Sequence, residues 1–323
     1  GTRITLHLRD EEEEFLDKWQ LRTLVHKYSE HITLPIMMEP DAPPPAEEGE
    51  EPKEVEPWEQ VNKATALWTL NRNEISEEEY KEFYKSVGHD WQDPMDWVHA
   101  RVEGNLEYTQ LLYIPAKAPF DLNDRERAHG IKLYVRRVFI MEDTEKLMPT
   151  YMRFVRGVID SNDLPLNVSR EILQSSKIVD QIKKGSVKKV LGLLEGTVKK
   201  GEEEYAKFWS EFGPVFKEGL IEDTSNQERI AKLCRFATSE SEGTDHTVSL
   251  EAYISRMKEG QNKIYFITGE THNAAKHSPH LEVFRKKGIE VILLTDHVDE
   301  WVVNHLREFD GKSLQSVTQG DLD

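Results

Sequence analysis

Arg170 and Gln174 stand four residues apart, just after the turn-rich stretch Asp160-Ser161-Asn162-Asp163-Leu164-Pro165-Leu166. Ser169 offers a hydroxyl to cap a helix starting there, so Arg170 is expected at a loop-to-helix junction. Residues four apart share one helix face, which lets Gln174 support whatever Arg170 binds. The planar fork of a guanidinium suits a phosphate or a carboxylate. An arginine at a helix start is also commonly a solvated side chain or half of a surface ion pair. Spacing alone leaves both readings standing.

Other candidate chemistry is weaker. Asp310-Gly311-Lys312-Ser313 looks like the end of a phosphate-binding loop, but Leu306 occupies the position where the pattern needs its first glycine. His272, His277 and His280 lie close together without a carboxylate or thiolate partner at metal-ligand spacing, so ordinary surface histidines are expected. No serine or cysteine sits in a nucleophile elbow, and the carboxylates are too many to single out a catalytic pair. Trp68 precedes a helix start in a segment with little else to pack, and Trp301 opens an otherwise polar helix with Glu300 and Asn304 four apart beside it. Both tryptophans are candidate exposed contacts, with core packing the alternative for each.

These residues need elements to hold them. Ile4, Leu6 and Leu8 alternate as in a strand, Phe15 to Tyr28 follows a helical period, and residues 31–37 read as a second strand or edge. Residues 40–57 interleave prolines with acids and are expected to be a flexible acidic linker. Ser76-Glu77-Glu78-Glu79 is a capping box ahead of a helix carrying Tyr80, Phe83 and Tyr84. A hairpin is expected over 98–114 around Gly104-Asn105, one strand over 131–140, and a helix from Tyr151 to Val158. Residues 178–212 are helical by period, divided by Gly185, Gly192, Gly196 and Gly201 and ended by Gly213-Pro214. The last part alternates strand 263–268, helix 281–287 capped by Ser278-Pro279, strand 289–295 and helix 298–309. Its Val291-Ile292-Leu293-Leu294 run suits a parallel sheet buried on both faces. The expected class is mixed α/β: a large αβα-type unit at 58–180, a helical connector at 181–235 and a small αβα unit at 236–323.

With 323 residues the chain is expected to hold two or three domains. Lys+Arg 42 against Asp+Glu 60 gives a net charge of -18, which argues against nucleic acid as the main partner. The single cysteine, Cys234, cannot form an internal disulfide, which fits a reducing cytoplasm. No run has the roughly 18 apolar residues of a membrane span, so no membrane partner is expected. Because the chain starts at Gly1 inside a strand-like alternation, a fragment of a longer polypeptide is expected, its first residues pairing with a sheet outside it.

Several stretches together resemble the ninety-kilodalton heat-shock chaperones, over essentially the whole chain and closest to their bacterial form. They include 1–8 (Gly-Thr-Arg-Ile-Thr-Leu-His-Leu), Leu67-Trp68-Thr69, Leu112-Tyr113-Ile114-Pro115 and Ala118-Pro119-Phe120-Asp121. The strand from Lys132 to Ile140 and Asp163-Leu164-Pro165-Leu166-Asn167-Val168-Ser169-Arg170-Glu171 complete the pattern. Leu70 departs from it, since the family commonly has an arginine after Trp-Thr. The resemblance implies that residues 1–39 end an amino-terminal ATPase domain, 40–57 are the charged linker and the rest is the middle domain. It implies that Arg170 and Gln174 belong to a catalytic loop, with Arg170 approaching the ATP γ-phosphate, and that Phe139 is an apolar contact with the ATPase domain. ATP and Mg2+ are then bound mainly by the domain before Gly1, leaving this chain alone without nucleotide or ATPase activity. The implied partners are partly folded client proteins, met by Trp68 and the Glu300, Trp301, Asn304 face, and a second copy through a carboxy-terminal dimerisation domain. The alternative is a non-catalytic interaction scaffold in which Arg170 is structural.

Overall fold

The computed structural model describes residues 1–40, 57–120, 122–123, 130–142, 144–165 and 176–319. Within the described residues the stretch expected as a strand at the start pairs with no other strand, and Ile4 and Leu6 are 81% and 79% exposed. A lone alternating stretch has no edge to satisfy its amides. A 3-10 turn (Asp10–Leu16) then leads to α1 (Lys18–Tyr28), opened by Asp17, whose carboxylate accepts from the Gln20 N–H. The strand expected over 31–37 shrinks to β1 (Met37–Met38), which pairs antiparallel with β2 (Glu59–Gln60). The two flanks of the acidic stretch therefore meet in one short ribbon, while 41–56 lie outside the described residues.

The capping box forms as expected. Ser76 Oγ accepts from the Glu79 N–H, the Glu79 carboxylate accepts from the Ser76 N–H at 2.8 Å, and α2 (Glu77–Gly88) follows. The expected hairpin is β3 (Asp96–Val102) with β4 (Tyr108–Ile114). The single strand expected over 131–140 is instead a second hairpin, β5 (Ile131–Val135) and β6 (Val138–Glu142). Its turn is Arg136-Arg137, at φ 50° and 69°. Such consecutive left-handed residues are the signature of Asn-Gly turns, so an Arg-Arg pair gives no turn signal.

After α3 (Thr144–Leu147), the expected helix over Tyr151 to Val158 is replaced by a 3-10 turn (Thr150–Met152) and β7 (Arg156–Ser161). β7 is the central strand of the order β3-β4-β7-β5-β6, antiparallel to β4 and parallel to β5. Buried on both faces from Gly157 to Ser161, it shows no alternation to distinguish it from a helix. Gly157 sits at φ 138°, and a Cβ there would overlap the Leu111 carbonyl of β4.

Only one of the four glycines divides the long helical stretch. α4 (Lys177–Lys200) runs through Gly185, Gly192 and Gly196, breaks at Gly201, and is followed by α5 (Glu202–Lys217). Pro214 does not end α5 as expected: Phe212, Val215 and Phe216 around it are all buried and hold the helix together across the missing N–H.

Next come α6 (Gly219–Glu222), α7 (Gln227–Leu233), β8 (Ala237–Thr238), α8 (Leu250–Ser255), β9 (Lys263–Thr268), α9 (His272–Lys276) and α10 (Glu282–Lys287). Then follow β10 (Ile292–Leu294), α11 (Asp299–His305), β11 (Glu308–Phe309) and β12 (Lys312–Ser316). The expected alternation is present, and Ser278 caps the 3-10 turn Pro279–Leu281 leading into α10. The final helix stops at His305, however, and gives way to an unexpected hairpin. The second sheet has the order β11-β12-β9-β10-β8, with β9 parallel to both neighbours.

Leu112, Leu133 and Ile159 on one face of the first sheet join Leu191 of α4 and Phe208 and Phe212 of α5 in a buried core that continues to Ile264 and Ile292 of the second sheet. The other face of the first sheet, with Leu111, Tyr113 and Val158, is covered by α2 and Trp68. The outer face of the second is covered through Ala275 and Phe284 of α9 and α10. Each five-stranded sheet lies between helical layers, which gives the mixed α/β class with αβα layering.

Candidate functional site

Arg170 and Gln174, with Ser169, the expected cap, lie outside the described residues. The chain leading to them is held by named contacts. Asp160 and Ser161, expected in the turn, instead end β7. Ser161 Oγ accepts from the N–H groups of Asp163 and Leu164, each at 3.2 Å. The Asp163 carboxylate takes the Glu107 N–H at 2.5 Å, and Leu164 is buried. On the other side of Arg170 and Gln174, Ser176 leads into α4, whose Val179 and Ile182 are buried in the same core, so both flanks of the segment are seated on the first sheet and its helical cover.

Trp68 is not an exposed contact. It is 1% exposed, packs in the core beneath α2, and donates its indole N–H to the Asp160 carboxylate at 2.8 Å. Burial lifts the Asp160 carboxyl above its usual range, although Trp68 and the Arg137 backbone N–H both donate to it. His99 bridges the Tyr80 hydroxyl and the Trp68 carbonyl, each at 2.8 Å, and its burial lowers its pKa. The large indole is therefore committed on both its polar and apolar sides.

Phe139 of β6 is half-buried, with its ring 5.9 Å from that of Tyr28 in α1 and 5.7 Å from that of Tyr134. Nearby, the His31 ring meets Trp68 edge-on at 4.8 Å. Residues before the acidic stretch thus dock on the β5–β6 hairpin through Phe139.

At the opposite end, α11 brings together the three residues singled out there. Glu300, Trp301 and Asn304 are all exposed, Trp301 by 65%, and Asn304 Nδ2 donates to the Glu300 carbonyl at 2.8 Å. Its other side is anchored by buried Val302 and by Asp299, which is 1% exposed. Beneath it lies Lys217, the last residue of α5, with no exposed surface: Nζ is 2.6 Å from Asp296 and 2.8 Å from Asp299. Asp299 also takes the Asp296 backbone N–H at 2.9 Å. Burial works against the Lys217 charge, but Asp299 and Asp296 outweigh it and raise its pKa. Burial likewise opposes ionisation of Asp296, and Lys217 reverses that and holds its pKa low. Sequence alone misses this ion cluster, because a lysine at a helix end ordinarily reads as solvated. Its position between buried Phe216 and Leu220 is the available signal.

Between α6 and α11, Glu218, Ile221, Glu222, His297, Val298 and Trp301 line an open groove of about 400 Å³. Elsewhere, Asp310-Gly311 is the positive-φ turn of the β11–β12 hairpin, so Lys312 and Ser313 lie in a strand rather than under a phosphate. His272, His277 and His280 do not join a group of three metal-binding side chains among the described residues.

Comparison with known proteins gives these features a class. The model of the family described as Hsp90 protein matches residues 39–323. The chain belongs to the Hsp90 family of chaperones. Among individual relatives it is similar to chaperone protein HtpG of Magnetococcus marinus, 63% identical over 327 aligned residues, and of Chromobacterium violaceum, 64% identical over 323. Each alignment covers 100% of this chain and 51% of the relative, so the chain spans about half the length of the curated relatives it matches. The middle domain of a putative heat shock protein from Plasmodium falciparum superposes with a TM-score of 0.70 at 32% identity, covering 79% of this chain and 100% of that domain. The fold is that of an Hsp90 middle domain.

Proposed function

We propose that the chain is the middle part of an ATP-dependent chaperone, completing an ATPase site with Arg170 and Gln174 and offering α11 to partly folded client proteins. The observation that carries the client half is Trp301, a large aromatic 65% exposed on a helix whose other face is fixed by the buried Lys217 ion cluster. A rigid exposed indole beside Glu300 and Asn304 supplies contact area at little entropic cost. The supporting points for the ATPase half are Hsp90 family membership and the firm anchoring of both ends of the segment that holds Arg170. There the guanidinium would offset negative charge on the phosphoryl oxygens of ATP.

Among the described residues Lys312 lies in a hairpin strand, and no group of three metal-ligating side chains is found. Family membership supports assigning ATP and Mg2+ mainly to another part of a longer protein, which would work in the cytoplasm as a homodimer. Phe139 and Tyr28 form the contact on the ATPase-domain side.

Binding of a permanently unfolded, fluorescently labelled protein tests the client half. Trp301→Ala should weaken it about tenfold, the range of an exposed aromatic contact residue. Equal affinity would remove α11 from the client surface. Trp68, buried in the core, is left out of that surface.

A further inference from the structure

The end of β7 carries hydrogen bonds that its sheet does not need. Past Ser161 the sequence runs on to Arg170, and three separate segments hold the chain where it leaves the strand. The left-handed Arg136-Arg137 turn donates both of its backbone N–H groups there, that of Arg136 to the Ser161 carbonyl and that of Arg137 to the Asp160 carboxylate, each at 3.2 Å. Trp68 donates to the same carboxylate at 2.8 Å. Glu107, the residue before β4, is bound in both directions: its carbonyl takes the Asn162 N–H at 3.0 Å, and its own N–H goes to the Asp163 carboxylate at 2.5 Å. Ser161 is fully buried, and its Oγ accepts from the N–H groups of Asp163 and Leu164.

Two of these side chains contribute nothing to the strand ladders. Pairing of β7 with β4 and with β5 ends at Ser161, so Asp163 lies beyond it, and Asp163 is exposed. A carboxylate there could stay in water; it is instead committed to a backbone N–H of the neighbouring hairpin in a charge-assisted bond. The Ser161 hydroxyl likewise fixes the turn at Asp163 and Leu164 and not a partner strand. What both fix is the point and direction in which the chain departs. Arg170 follows Leu164 by six residues, at most about 20 Å of chain, so that departure bounds where its guanidinium can reach. A reacting group misplaced by about 1 Å can lose about a hundredfold in rate. We infer that Ser161 and Asp163 are positioning residues for Arg170, fixing the departure of its segment from β7 against Glu107. This rests on the ATPase reading of Arg170 and adds the residues through which the sheet directs it.

The test uses a full-length protein carrying this chain. ATP turnover and nucleotide affinity are measured for Asp163→Ala, Asp163→Asn and Arg170→Ala, and for Asp163→Ala combined with Arg170→Ala. Asp163→Ala should lower kcat about tenfold while KM and nucleotide affinity stay within about twofold of the parent. Asp163→Asn keeps an oxygen that accepts the Glu107 N–H and should recover most of that loss. Added to Arg170→Ala, Asp163→Ala should cost nothing further, because a residue that acts through the guanidinium has nothing left to position. Ser161→Ala should show the same dependence on Arg170. Amide exchange at Glu107 reports the bond itself and should speed up in Asp163→Ala but not in Asp163→Asn. An unchanged kcat in Asp163→Ala, a loss that asparagine does not recover, or a loss that adds in full to that of Arg170→Ala would overturn the inference. If Arg170→Ala lowers turnover and Asp163→Ala does not, the ATPase reading stands and this inference alone fails. If Arg170→Ala leaves turnover unchanged, both fail.

Discussion

Lys217→Met removes a fully buried ammonium of nearly the same shape as its replacement and leaves two carboxylates behind. Asp299 is 1% exposed and loses its partner at 2.8 Å, while Asp296 loses one at 2.6 Å. A buried charge stripped of its counter-ion costs about 3–5 kcal/mol. Met fills the lysine volume, so little of that loss comes from a cavity. Replacing the acids as well, by Asp296→Asn and Asp299→Asn, removes the uncompensated charge, and an amide oxygen at 299 still accepts the N–H of residue 296. Urea unfolding at pH 7 followed by far-UV circular dichroism measures both variants. The single variant should lose about 3–5 kcal/mol and the triple variant should regain most of it. A loss below about 1 kcal/mol for Lys217→Met, or a triple variant no more stable than the single one, would refute the claim that this cluster anchors α11. The cluster also fixes a pH window. Asp296 has a depressed folded pKa, so its contribution disappears as pH falls through that value, below about 3.9. Lys217 has a raised one, so its contribution disappears as pH rises through that value, above about 10.4.

Trp68→Phe keeps the ring packing but removes the indole donor to buried Asp160, and should cost about 1–3 kcal/mol in the same unfolding measurement. Because the folded Asp160 pKa is already raised by burial, the loss should be smallest at acid pH and grow as pH rises through that value; a pH-independent loss would contradict the assignment. Gly157→Ala places a Cβ onto the Leu111 carbonyl at a φ that L-residues avoid, so the chain should fail to give soluble folded protein. A folded Ala variant with unchanged circular dichroism would show that β4 and β7 are not packed this closely.

Elements with local signals are legible in the sequence itself. Ser76 and Glu79 announce α2, Gly104-Asn105 announces the β3–β4 hairpin, and Ser278-Pro279 announces the turn into α10. Long-range context decides the rest. β7 looks helical by composition because both its faces are buried, and Arg136-Arg137 turns the chain without a glycine because the two strands it joins hold it at positive φ. The α11 face is readable because Glu300 and Asn304 flank Trp301 at helical spacing, and all three are exposed. Trp68 misleads for the opposite reason: its neighbours in sequence offer little to pack against, but its partners, Asp160, Tyr134 and Phe83, come from distant segments. Lys217 shows locally only that its neighbours are apolar; its two carboxylates lie 79 and 82 residues further along the chain.

The most direct test of the account is steady-state ATP turnover of a full-length protein carrying this chain with Arg170→Ala, measured beside nucleotide affinity. Loss of a preorganised donor to the phosphoryl oxygens should lower kcat about a hundredfold while nucleotide affinity stays within about threefold of the parent. Unchanged turnover in a folded variant would contradict the proposal and leave Arg170 a structural residue of an interaction scaffold.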